Sequence, residues 1–206
     1  MVGWTLGRKH YKHEDRRWNL WREHWTNGDG LLGIRNVHIN FFVFYQMQAL
    51  SNVWVFSLPL ILMCNNTEET LYKTEILGLI IWAISFYLEN VADIQLSKFQ
   101  LKNKGNINCV MDKGLWRYSR HPNYFFEWMI WNSYALMTFY SINSQWQYAI
   151  LILMPAVAFY FLVFYTGVPM AEKNSLKRRG EIYRKYQENT SMFIPWFSGD
   201  NSFKSE

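Results

Sequence analysis

The chain of 206 residues has little cysteine, little proline and no charge at all over long stretches. Its two cysteines, Cys64 and Cys109, lie far apart in sequence, which leaves no disulfide framework and no cysteine-based metal site. Its five histidines, His10, His13, His24, His38 and His121, show no ligand spacing, so no metal or heme role is expected. Residues 1–35 carry seven basic side chains and no apolar core, which excludes a signal-peptide design. No repeat of fixed period and no long linker is present.

The missing charges are the most informative absence. No Asp, Glu, Lys or Arg occurs over residues 36–67 or 128–171. At 1.5 Å per helical residue the second gap runs about 66 Å, roughly twice the hydrocarbon thickness of a bilayer, so it must cross and return. A chain of this size cannot build a water-soluble core large enough to hide both stretches. The mean hydropathy of −0.17 conceals this because the charges are segregated. The fold class expected is therefore all-α: an integral membrane bundle with four spans, near residues 38–63, 74–96, 123–140 and 146–168.

What is present fits that frame. Aromatic residues make up 19% of the chain and outnumber the 37 charged ones, with 11 Trp, 13 Tyr and 15 Phe, which excludes a disordered polymer. The net charge of +5 and pI near 9.1 do not call for nucleic acid, because the basic residues cluster beside the apolar spans. Of the 21 Lys and Arg, only Lys73 falls on one side of the predicted spans; all others fall on the other. Both termini are thereby expected in the cytosol, in the endoplasmic reticulum of a eukaryote or the inner membrane of a bacterium. The expected divisions are a basic N-terminal segment (1–37), a four-helix membrane region (38–168) with a cytosolic loop (97–122), and a cytosolic C-terminal segment (169–206). Asn65-Asn66-Thr67 is formally a glycosylation sequon on the far side.

Two regions hold groups able to do chemistry. Glu89 and Asp93 are four residues apart on one helix face near the basic side. Carboxylates at that depth either serve a site or sit at headgroup level against Lys98 or Lys102, and both readings stand. In residues 114–127, GLWRYSRHPNYFFE, Pro122 keeps His121 out of helical geometry and can begin a helix. That helix N-terminus beside Arg117, Arg120 and His121 makes either a phosphate or carboxylate site or an interfacial anchor. Asn123 can cap the helix or hydrogen-bond a carboxamide, and Glu127 follows one turn on. The tail beyond residue 168 combines Lys177, Arg178, Arg179, Arg184 and Lys185 with Tyr183 and Tyr186 at i, i+3 and a second apolar element, FIPWF. Folded back over the Arg120 loop, it would close a pocket; left open, it would contact lipid headgroups.

GLWRYSRHPNYFFEW, the preceding ENVADIQLSKF and the tail GVPMAEKNSLKRRGEIYRKYQENTSMFIPWF together resemble the steroid 5α-reductase-like membrane family catalogued as domain of unknown function 1295. Its superfamily includes sterol reductases and isoprenylcysteine carboxyl methyltransferases. The resemblance covers nearly the whole chain and extends to HEDRRWNLWREHW near the start. It implies a helical membrane protein that binds NADPH on its cytosolic side and reduces a hydrophobic enone or similar lipid double bond. By the same resemblance, Glu89 and Asp93 match polar residues on the cofactor-facing helix. Asn123 and Glu127 match the pair beside the nicotinamide, with Arg120, His121 and Tyr124 in the same loop. Glu172, Lys173, Tyr183 and Tyr186 match the element covering the cofactor, and Arg117, Arg120 and Lys173 would take its phosphates.

The chain departs from that family in two places. Phe126 stands where a glycine is usual, and the chain opens with MVGWTLGRKHYKHEDRRW, which looks like the end of one of the two or three spans usual upstream. A fragment, or a member that works without those helices, is expected, and no catalytic acid is assigned. Two alternatives follow from the same residues: an S-adenosylmethionine-dependent lipid methyltransferase, which Glu172-Lys173 disfavours because those enzymes carry a Glu pair there, and a truncated non-enzymatic membrane protein. The partners expected are the bilayer and a hydrophobic small molecule, with no nucleic acid.

Overall fold

A computed structural model describes residues 22–23, 25–27, 36–51, 53, 57–64, 70–103, 106–142, 144–165 and 167–197. The HEDRRW segment, His10, His13, His24, the sequon at Asn65 and the tail beyond residue 197 lie outside these. Among the described residues the architecture is helical throughout, without strands. The chain divides into two compact units, Met1–Leu58 and Pro59–Glu206.

In the first unit, α1 (Val37–Ser51) begins after Asn36, whose side-chain Oδ1 accepts the backbone N–H of His38 at 3.0 Å and of Ile39 at 3.3 Å. Trp25 is buried against Phe41 and Phe44, with ring centroids 4.8 and 6.3 Å apart, and the Arg22 guanidinium lies over the Phe41 ring. Further along the same expected span, α2 (Ser57–Cys64) carries Pro59 in its first turn, where the missing N–H has no helical partner to lose.

The second unit is built on α3 (Lys73–Lys102), whose start is fixed by the Glu75 carboxylate accepting the Tyr72 backbone N–H at 2.7 Å. It runs antiparallel to α4 (Pro122–Met137): Gly78 near the start of α3 faces Met137, while Asp93 near its end meets Asn123. Gly78, Ser85 and Ala92 are buried seven residues apart, one stripe of small side chains that lets the two backbones approach. A Cβ at Gly78 would stand 2.5 Å from Met137 Cγ and 3.0 Å from the Ser133 carbonyl. Gly78→Leu is therefore expected to push the helices apart and cost about 1–3 kcal/mol, read as an earlier thermal transition in detergent.

A 3₁₀ turn, Phe139–Ser141, leads to α5 (Gln145–Tyr160), continued by a π-helical turn, Phe161–Tyr165. Then come α6 (Val168–Arg179) and α7 (Glu181–Asn189), with Gly180 at φ +53° between them. Two helical runs, Lys73–Lys102 and Gln145–Arg179, are long and apolar enough to cross a bilayer. Only 17% and 19% of their most apolar stretches are buried within the chain, so neither is the hidden core helix of a globule.

Candidate functional site

The loop between α3 and α4 is pinned onto α3 before it reaches the site. Gly114, at φ +62°, opens a 3₁₀ turn (Gly114–Arg117) and lies so close to Gln95 that a Cβ would fall 2.5 Å from Gln95 Oε1. That oxygen accepts the Leu115 backbone N–H at 3.0 Å, and the buried Trp116 donates its indole N–H to the Ala92 carbonyl at 2.9 Å. The next residues run alongside the C-terminal segment. Trp196 N–H donates to the Tyr118 carbonyl at 2.9 Å, Ser119 Oγ to the Phe193 carbonyl at 2.8 Å, and Arg120 N–H to the Ser191 carbonyl at 2.8 Å.

Arg120 is the centre of this arrangement. Its Nε donates to Glu172 Oε1 at 2.7 Å, and its Nη1 to the carbonyls of Gln187 and Thr190, each at 2.7 Å. The two carbonyls belong to the end of α7, where a cation also meets the negative pole of the helix dipole. Glu172 further accepts Gln187 Nε2 at 2.7 Å and the His121 Nε2–H at 3.3 Å. Burial pushes the Glu172 carboxyl up, but the hydrogen bonds from His121 and Arg120 outweigh it and hold the group at about 2. His121 is buried, takes the N-cap position of α4 and stacks its ring on Tyr124, 5.4 Å away and nearly parallel. Tyr124 in turn lies against Gly167, where a Cβ would come within 3.1 Å of its ring.

One turn into α4 the chemistry changes sign. Asn123 Nδ2 donates to Asp93 Oδ1 at 3.1 Å, while Asn123 Oδ1 is buried with no hydrogen-bond partner. Glu127 lies within electrostatic range of Asp93, and Glu89 of both. Glu89, Asp93, Asn123 and Glu127, two residues from each of two helices, thus form one polar cluster between α3 and α4.

The remaining site residues separate by exposure. Arg117 and Lys173 are exposed. Tyr183 and Tyr186 point inward on α7 and pack with Val110, Leu176 and Ile182. Tyr186 donates its hydroxyl to the Trp116 carbonyl. Burial raises the Tyr183 hydroxyl to about 12 and raises Tyr186 as well, so both remain neutral donors. Residues without a sequence signal complete the assembly: Gln95, Trp116, Ser119, Gln187 and Thr190. A buried backbone carbonyl as partner leaves no trace in residue type, although the polar run from Gln187 to Thr190 just past the tyrosines was a usable cue. Cys64 and Cys109 are free thiols, the first exposed and the second buried. Among the described residues no group of His, Cys, Asp and Glu has the geometry to hold a metal ion.

Residues 2–190 match the family described as Protein of unknown function (DUF1295), and the chain belongs to it. It is also similar to an uncharacterized protein of Schizosaccharomyces pombe, 25% identical over 179 residues that cover 79% of this chain and 51% of the yeast protein. The chain thus spans about half the length of that curated relative. No solved structure matches it.

Proposed function

We propose that this chain is an integral membrane protein of four spans with both termini on the basic, cytosolic side, and that it is an NADPH-dependent reductase of a hydrophobic enone or similar lipid double bond, in the manner of the steroid 5α-reductases. The observation that carries the reading is the orphaned Asn123 Oδ1. A buried acceptor costs about 1–3 kcal/mol unless a donor reaches it, and the N–H of a nicotinamide carboxamide is such a donor. Asp93 fixes which way the Asn123 amide faces, because a carboxylate accepts only from its Nδ2.

The residues present fit that cofactor. Asn123 would hold the carboxamide with Glu127 beside it, and the exposed cations Arg117 and Lys173 would meet phosphates. Arg120, whose Nε and Nη1 are engaged within the protein, is assigned to positioning: with Glu172 it holds the loop and α7 together around the site. Bound NADPH would supply a hydride to the β-carbon of the acceptor, with a proton completing the reduction at the α-carbon. The chain's part is to orient both reactants and keep water away.

Deuterium at the transferable position of the dihydronicotinamide tests this. Incubated with the chain in nanodiscs and a set of lipid enones, it is expected at the β-carbon of a saturated product. Product without deuterium, or a methylated product formed from S-adenosylmethionine, would overturn the reading.

A further inference from the structure

Residues 191–197 are held along the 118–120 strip by three backbone-anchored hydrogen bonds, with one ring buried beneath them and the others exposed. Phe193 turns inward, 4% exposed, into a ring cluster with Phe125, Trp128 and Phe159 at centroid distances of 5.8, 5.9 and 5.3 Å. Ile194, Trp196 and Phe197 turn outward, 57%, 70% and 83% exposed. Tyr118 joins them from the adjoining loop, its ring edge-on to Phe197 at 6.2 Å. Three strongly exposed apolar side chains and the half-exposed Tyr118 are thus carried by a hydrogen-bonded backbone.

We infer that this aromatic edge is a docking surface for the boundary of the lipid bilayer, seated at headgroup level on anionic lipid. The inference rests on the membrane reading above and adds a contact to it. Three observations choose the occupant. The edge lies at the end of the unit where α4 begins, and Phe193 anchors it to α4 and α5, so a bilayer crossed by those helices has its boundary at this level. Trp196 and Tyr118 have apolar rings with a polar atom, the kind of side chain that settles at such boundaries. Lys113, exposed on the same loop as Tyr118, matches the charge of anionic headgroups.

Nitroxide labels at single cysteines test the inference on a Cys64→Ser background, where the remaining thiol, Cys109, is buried. Labels at Trp196→Cys, at Ile80→Cys on the exposed apolar side of α3, and at Lys185→Cys on the exposed side of α7 are compared in nanodiscs of neutral and of anionic lipid. Collisions with dissolved oxygen report lipid, and collisions with a water-soluble nickel chelate report water. The 196 label is expected between the other two, nearer the 80 label, and Lys113→Gln should move it toward water in anionic lipid only. A 196 label as water-exposed as 185, with 80 in lipid, would overturn the docking surface alone. A 196 label that neither reagent reaches would mean a protein covers it and would overturn it too. An 80 label in water would remove the membrane reading itself.

Discussion

Arg120→Ala is expected to detach the C-terminal element from the α3–α4 loop. The substitution removes the bond to Glu172 at 2.7 Å and both bonds to the end of α7, leaving the part-buried carboxylate with only its Gln187 and His121 partners and two carbonyls without the Arg120 donor. Breaking a buried ion pair from one side costs about 3–5 kcal/mol, a large share of a typical stability. Limited proteolysis should then cut within residues 180–197, which the native chain protects. Arg120→Lys should recover only part of the loss, since one ammonium cannot reproduce a fork that serves a carboxylate and two carbonyls at once.

The same clamp predicts an acid transition. Glu172 is held at about 2 against an ordinary 4.5. A carboxyl lowered on folding contributes stability that is fully present above its unfolded value and is lost as pH falls through its folded one. Protection of residues 180–197 should therefore be flat near neutrality and decline between about pH 4.5 and 2. Glu172→Gln should weaken the protection at neutral pH and flatten that decline.

The second large effect belongs to the polar cluster. Asn123→Ala removes both the partner of Asp93 and the unpaired acceptor, and Glu127→Ala removes the neighbouring carboxylate. Each is expected to weaken NADPH binding about tenfold or more, the consequence of losing one well-placed hydrogen bond of about 1–3 kcal/mol. Isothermal titration in detergent reads it. Cofactor affinity that survives both changes would remove Asn123 and Glu127 from the site.

Much of this arrangement could be read from residue order. Charge gaps locate apolar helices because a bilayer tolerates few ions, and Pro122 marks the start of α4 because proline suits a first helical turn. The pairing of Asp93 with Asn123 was visible only as two candidate residues, since the register of two antiparallel helices is set by how small buried residues pack, Gly78 lying against Ser133 and Met137. The i, i+3 spacing of Tyr183 and Tyr186 gave one face of α7 but not what that face met, which is Val110 and the Trp116 carbonyl. The partners of Arg120 on α7 are backbone carbonyls, invisible in residue type.

The most direct test of the account is ligand-induced thermal stabilisation of the detergent-purified chain by NADPH, NADH and S-adenosylmethionine in parallel. A ligand held by the native state at 100 times its Kd adds about 2.7 kcal/mol. The account predicts a rise in Tm with NADPH that Asn123→Ala abolishes. Stabilisation by S-adenosylmethionine alone, or by none of the three, would contradict it.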